Sequence, residues 1–314
     1  MGHILKMKPV FKQMIWGGTK LRDVYNYNIP GDDTGECWAI SAHKNGDCTI
    51  ENTEYAGKKL SWLYENHREL FGNIEDPVFP LLVKIIAARD DLSVQVHPDD
   101  DYASKYENSL GKTECWYVLD ADEGTEIVMG HNAKTKEEFV SMIENDQYDQ
   151  LLNQFPINKG DFFYIPSGTL HAIKGGTMVY EAQQSSDITY RVYDYHRKDK
   201  EGNERQLHVK QAIDVTKVPA NNTNNSVFVN THLDYGNKTR YLECEQFTVD
   251  LYRFREGRNF IDYDGPFQMV SILEGEGMLE DMIVKKGDHF IICSDHKETL
   301  FNGIMDVMIT RLNA

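Results

Sequence analysis

The sequence predicts a mostly β protein in which one small barrel-like unit is used twice and a few helices are set into the first copy. Three observations predict it. Apolar runs are short and bounded by Gly, Pro, Asn or Asp, as at residues 79–88, 93–97, 116–119, 162–165 and 178–180. The string GDFFYIPS at 160–167 returns as GDHFIICS at 287–294, each Gly-Asp pair turning into an apolar strand. Helical periodicity is confined to a few short stretches.

The first such stretch is 62–71, capped by Ser61 and closed by Gly72. A second runs over 136–144, where Thr135 and Glu138 form a capping box ahead of Phe139, Val140, Met142 and Ile143. A shorter third covers 208–215. The segment PANNTNNS at 219–226 is too rich in Asn for a regular element and reads as a linker. It divides the chain into 1–220, a unit with helical insertions, and 221–314, a degenerate second copy. The first GD unit continues into Gly168, Thr169, Leu170 and His171, whereas the second continues with different spacing, so chemistry belongs to the first. The second is read as structural, an assembly surface or a lid.

At 314 residues, with 40% hydrophobic and 26% charged, the chain has the size and composition of a globular protein with a sizeable core. Its 33 basic against 50 acidic residues give a net charge of −17, which would repel nucleic acid yet leave room for a local cationic pocket that takes a small anion. Five scattered cysteines form neither a disulfide framework nor a CxxC site, and a reducing cytoplasm fits them. No run approaches the roughly eighteen apolar residues of a membrane span, and no signal segment is recognised at the start.

Strand parity exposes the chemistry. In SVQVHP at 93–98, Ser93, Gln95 and His97 share one face and Val94 and Val96 the other. In KTECW at 112–116, Lys112, Glu114 and Trp116 go together while Cys115 turns away. His171 follows a Pro-Ser-Gly turn. Gln95, His97, Glu114 and His171 thus offer N and O donors and no thiolate, a set suited to zinc or another first-row divalent ion with positions left open. A histidine taken singly reads better as a hydrogen-bonded polar group on a half-exposed sheet, and it is the combination of parity and spacing that points to a metal. Lys84 stands in the apolar run LLVKIIAA, which marks either an edge strand or an ammonium met by an anion. Arg191, on another strand, joins Lys84 and Lys112 as candidate lining of an anion pocket.

These residues resemble the class I mannose-6-phosphate isomerases, metal-dependent cupins, in their short bacterial form. Trp16-Gly17-Gly18 is similar to the family's amino-terminal WGG. Glu36, Trp38, Ser41 and His43 resemble its ExWxxSxH segment, and Ser93 to Asp99 its metal-binding strand. The segments KTE at 112–114, PSGTLHA at 166–172 and YRVYD at 190–194 complete the series in order. Past residue 194 the likeness is mainly one of length. The large helical insertion of the longer relatives is missing, so the covering of the pocket does not transfer.

The resemblance implies two cupin-type jelly-roll β-barrels with a few inserted or packed helices. It implies one divalent ion per chain, normally zinc, on Gln95, His97, Glu114 and His171, with Gln95 either a ligand or a partner behind the ligands. Arg191 becomes the active-site arginine, with Lys112 beside it, and Trp16, Glu36, Lys84 and Ser93 line the substrate pocket. The activity implied is interconversion of mannose 6-phosphate and fructose 6-phosphate through an enediol, with Lys84 and Arg191 as phosphate partners. For the proton carrier, a water on the metal, neutral Lys112, Glu36 and His97 all stay open. We expect a cytoplasmic enzyme, a monomer or weak homo-oligomer, that engages a sugar phosphate and neither nucleic acid nor membrane. Two rivals share the ligand set: an iron cupin dioxygenase, which the cluster of Lys84, Lys112 and Arg191 opposes, and a cupin that only binds sugar, which Arg191 together with Lys112 opposes.

Overall fold

The computed structural model describes residues 2–199, 201–220 and 228–313. Their strands form sheets of six, five and ten members, all antiparallel neighbours. In the six-stranded sheet the order is Phe162–Ile165, Glu114–Ala121, Thr177–Gln184, Leu81–Ala87, Thr34–Ile40 and Val10–Gly18. The five-stranded sheet runs Tyr190–Tyr193, Val94–Val96, His171–Ile173, Glu126–His131 and Leu152–Pro156. Neither ladder closes on itself, so the first unit is a double-sheet jelly roll with open edges.

Alternation along the strands builds four layers. On Leu81–Ala87, Val83 and Ile85 pack toward the ten-stranded sheet, with Met269, Ile291 and Met308. Lys84 and Ile86 face the opposite way, toward the five-stranded sheet. Between those two sheets lie Trp116, Val118, Val179, Ile127 and Ile173. Behind the five-stranded sheet, Val94, Val96 and Ala172 meet Phe139 and Ile143 of the helix Lys136–Glu144, and Ala212 of the helix Val209–Val215. Each such aliphatic side chain taken fully out of water contributes about 1.5–3 kcal/mol, which fixes strand register and with it which side chains face the interior.

The second unit closes around Phe254, Phe290, Phe301 and Val307. Its sheet also takes in the strand Ile4–Lys8, paired Ile4 to Ile292, and through it Thr49–Ile50. The expected linker at 219–226 and the boundary after residue 220 fall largely outside the described residues.

Among the helices, Lys136–Glu144 has the expected limits, and Thr135 Oγ1 accepts from the Glu138 amide at 3.2 Å. The returning bond differs: the Glu138 carboxylate takes the Lys134 amide at 2.6 Å, not that of Thr135. The expected helix at 62–71 is two pieces, Leu60–Asn66 and a 3-10 turn Arg68–Phe71. Ser61 is inside the first piece, where Asp47 accepts both its hydroxyl (2.6 Å) and its amide (3.2 Å). Gly72, at φ +70°, does end the second. The third begins at Val209, with His208 as its cap. Short helices at Lys20–Tyr25, Asp100–Tyr106 and Tyr148–Leu151 lack a long apolar stripe and escape a periodicity reading. Among the described residues no helix is long and apolar enough to cross a membrane.

Candidate active site

The two facing sheets bring the candidate residues together through direct cross-strand pairing. On one side Gln95 is the register partner of both His171 and Arg191. On the other, Glu181 is the partner of Lys84 and of Trp116. Lys84 lies in an interior strand and is only 4% exposed, so the edge-strand alternative is excluded.

His97, Glu114 and His171 are buried and present ligand atoms within 4.8 Å of one another. His97 Nε2 is 3.6 Å from Glu114 Oε2, and His171 Nε2 is 3.4 Å from Glu114 Oε1. His171 Nδ1 donates to the Thr169 carbonyl at 2.9 Å, which leaves Nε2 as a free acceptor aimed at the carboxylate. That carbonyl follows the turn at Gly168, whose φ of +82° suits glycine. Gln95 reaches His171 Nε2 at 3.5 Å through its carboxamide. The Glu114 oxygens are buried without a hydrogen bond of good geometry. Two imidazoles and a carboxylate converging on one point in a buried place fit a cation, and the N and O donor set fits a first-row divalent metal. Lys112 stands next to this group, its Nζ 2.9 Å from Glu114 Oε2 and 3.1 Å from His97 Nε2.

In front of the ligands is a cavity of about 290 Å³. Trp16, Glu36, Lys84, Ser93, Gln95, Lys112 and Arg191, all expected at the site, line it. Gly35 makes the first of these placements possible, since a Cβ there would sit 2.4 Å from the Trp16 ring. Trp38 Nε1 donates to Glu36 Oε2 at 2.6 Å and orients that carboxylate. A larger cavity, about 550 Å³, lies alongside and shares Asp187, but it holds none of the ligand set.

Glu181, Asp187, Thr189 and Arg205 also line the smaller cavity, and sequence reading missed them. Glu181 is 2% exposed and accepts from Trp116 Nε1 at 2.9 Å. Lys84 Nζ lies 3.4 Å from Glu181 and 3.8 Å from Glu36, and 4.8 Å above the Trp38 ring. Burial alone would lower the Lys84 ammonium, but the charges of Glu36 and Glu181 outweigh it and hold it above lysine's ordinary value. Burial likewise works to raise Glu181, yet Lys84, Lys112 and the Trp116 bond keep it below the usual carboxylate range. Glu114 goes the other way: burial and the charge of Glu181 raise it against the pull of Lys112. Burial, reinforced by the charge of Lys112, pushes His97 well below its ordinary value, so both imidazoles are held neutral as ligands require.

A jelly roll with a buried His-Glu-His group behind a charged, anion-sized cavity defines a metal-binding cupin. The comparisons narrow the class. "Phosphomannose isomerase type I, catalytic domain" matches residues 4–148, and "Mannose-6-phosphate isomerase, cupin domain" matches 237–312. The chain is 46% identical to mannose-6-phosphate isomerase ManA of Bacillus subtilis over 98% of both proteins. It is also 46% identical to mannose-6-phosphate isomerase of Streptococcus mutans, over 100% of this chain and 99% of that one. The crystal structure of the mannose 6-phosphate isomerase from Bacillus subtilis superposes with a TM-score of 0.95 at 42% identity, covering 99% of this chain and 100% of that chain. A phosphomannose isomerase of Salmonella typhimurium, at 14% identity and a TM-score of 0.80, shares the fold over 99% of this chain and 100% of that chain. The chain belongs to the type I phosphomannose isomerases, a metal-dependent family.

Proposed function

We infer that this protein is an aldose-ketose isomerase that interconverts mannose 6-phosphate and fructose 6-phosphate. The observation that carries the reading is the set of four cations, Lys84, Lys112, Arg191 and Arg205, around a cavity backed by the His97-Glu114-His171 group. Its cations suit an anionic sugar and serve no purpose for an apolar dioxygenase substrate.

We assign the metal to His97, Glu114 and His171, with Gln95 alongside, and take zinc as the ion; bound there, it would polarise sugar oxygens as a Lewis acid. The chain's own residues carry the rest. Trp16, Glu36 and Ser93 shape and orient the open-chain sugar against the wall that holds Lys84. A base takes the proton from C2 of the aldose, and the resulting enediolate carries negative charge on its oxygens. The hydroxyl proton passes from the oxygen at C2 to the oxygen at C1, and a proton is returned to C1 as the carbonyl forms at C2. Arg191 and Lys112, fixed before reaction, meet that charge, which is worth more in a site closed to water than in solution. Of the candidate proton carriers, Lys112 and Glu36 line the cavity. We place the enzyme in the cytoplasm, as a monomer or weak homo-oligomer, with the second unit, 221–314, free of metal.

Conversion of mannose 6-phosphate in deuterium oxide tests the reaction. The enediol route predicts fructose 6-phosphate that carries deuterium at C1. No conversion, or product that stays free of deuterium after many turnovers, would contradict it.

A further inference from the structure

We propose that Arg205 is a phosphate-binding residue of the substrate cavity, working beside Arg191; the inference rests on the sugar-phosphate reading above. Arg205 lies in the polar stretch after the strand Tyr190–Tyr193, outside every segment that pointed to the site from sequence.

Two bonds to Arg191 lay this stretch against the cavity. Arg191 Nη1 donates to the Gln206 carbonyl at 2.8 Å, and the His208 amide donates to the Arg191 carbonyl at 2.7 Å. Arg205, one residue before, is thereby delivered next to Arg191 at the cavity wall. Asp194 then fixes its guanidinium, taking Nε at 2.7 Å on one carboxylate oxygen and Nη2 on the other. With that side of the fork committed, Nη1 is left for a ligand. On Arg191, Nε reaches Ser93 Oγ at 3.3 Å and Nη1 is used on Gln206, so Nη2 is left.

The charge count also calls for an anion. Asp194 answers both Arg205 and Arg197, while Arg191 has no carboxylate partner among the described residues. Burial together with the charges of Arg205 and Arg197 pulls Arg191 below its ordinary value, a sign of crowded positive charge. Three guanidiniums around one carboxylate leave an excess close to the charge of about −1.5 to −2 that a phosphate monoester carries at neutral pH. Arg197 is turned away, with Nη1 on the Asp91 carbonyl at 2.6 Å, and does not line the cavity. Lys84 is already shared between Glu36 and Glu181, which leaves Arg191 and Arg205 as the pair with capacity to spare.

The test is steady-state kinetics on metal-loaded wild type, Arg205→Ala, Arg205→Gln and Arg205→Lys, with inorganic phosphate as a competitive probe. Loss of a charge-assisted pair predicts that Arg205→Ala and Arg205→Gln raise KM for mannose 6-phosphate by about tenfold to a hundredfold, with kcat within about threefold. The Ki for phosphate should rise by a similar factor, and Arg205→Lys should fall between. A KM within about twofold of wild type in both Ala and Gln variants, or a raised KM with an unchanged Ki for phosphate, overturns the role. No turnover by the wild type would strike instead the isomerase reading itself.

Discussion

Lys84 and Glu181 are direct cross-strand partners in the middle of the six-stranded sheet, their charged ends 3.4 Å apart and both nearly sealed from solvent. A lysine in the apolar run LLVKIIA and a glutamate in TMVYEAQQ each look misplaced alone. Paired, and joined by Glu36 and Trp116, they form a charged wall that is built before substrate arrives.

Removing one partner should therefore be costly. Lys84→Met leaves Glu36 and Glu181 facing each other without a cation, and we expect it to lower stability by about 3–5 kcal/mol. Urea unfolding of the two proteins gives the number; a loss below about 1 kcal/mol would mean that the carboxylates find other partners.

The ligand assignment makes a graded prediction for bound zinc. Glu114→Gln removes the only charged ligand and should weaken zinc by more than the 10–100-fold typical of a residue behind the ligands, whereas Gln95→Ala should fall within about that range. Competition with a coloured chelator measures both. Equal effects would place Gln95 among the ligands on the same footing as Glu114.

A pH effect is expected far from the metal. His289, sealed in the second unit, bonds to Ser271 Oγ and to Tyr27 Oη, each at 2.8 Å. Burial lowers it to about 4. Between pH 6.5 and about 4 the unfolded chain holds a proton on this ring that the folded one lacks, so its contribution is complete above 6.5 and is lost as pH falls. The full difference is about 3 kcal/mol. Stability measured from pH 7.5 to 4 should fall more steeply in wild type than in His289→Gln; parallel curves would show that the ring is protonated in the folded protein.

Tyr180 ties the two units together. It neighbours Glu181 on the strand Thr177–Gln184, and its hydroxyl meets Thr310 Oγ1 of the second unit at 2.8 Å. Tyr180→Phe should cost about 1–3 kcal/mol in the same urea experiment by leaving Thr310 unpaired, and an unchanged midpoint would deny that coupling.

The site was legible where chemistry follows strand parity. Ser93 and Gln95 line the cavity and His97 joins the ligand group behind it, while Val94 and Val96 face the helices, as alternation requires. Glu181 was hidden because its meaning depends on Lys84 in a strand nearly a hundred residues away, and register across that distance is set by packing; the available signal was a second lone charge in an apolar run. Arg205 was hidden because the polar stretch that carries it shows no periodicity. The strand Ile4–Lys8 is interrupted by Lys6 and ends on Lys8, so it escapes an apolar-run reading, and nothing local says that it joins the sheet of the second unit. At 62–71 the apolar residues Trp62, Leu63, Tyr64, Leu70 and Phe71 are separated by the polar run 65–69, and the helix breaks within that run at His67, with φ −137° and ψ 57°.

The most direct test of the account is an assay of fructose 6-phosphate formed from mannose 6-phosphate by protein stripped with chelator and then reloaded. We predict that turnover disappears on stripping while the fold persists, returns with zinc, and does not return in Glu114→Gln. Full turnover by stripped protein, or zinc-loaded, folded protein that leaves mannose 6-phosphate untouched, would contradict it.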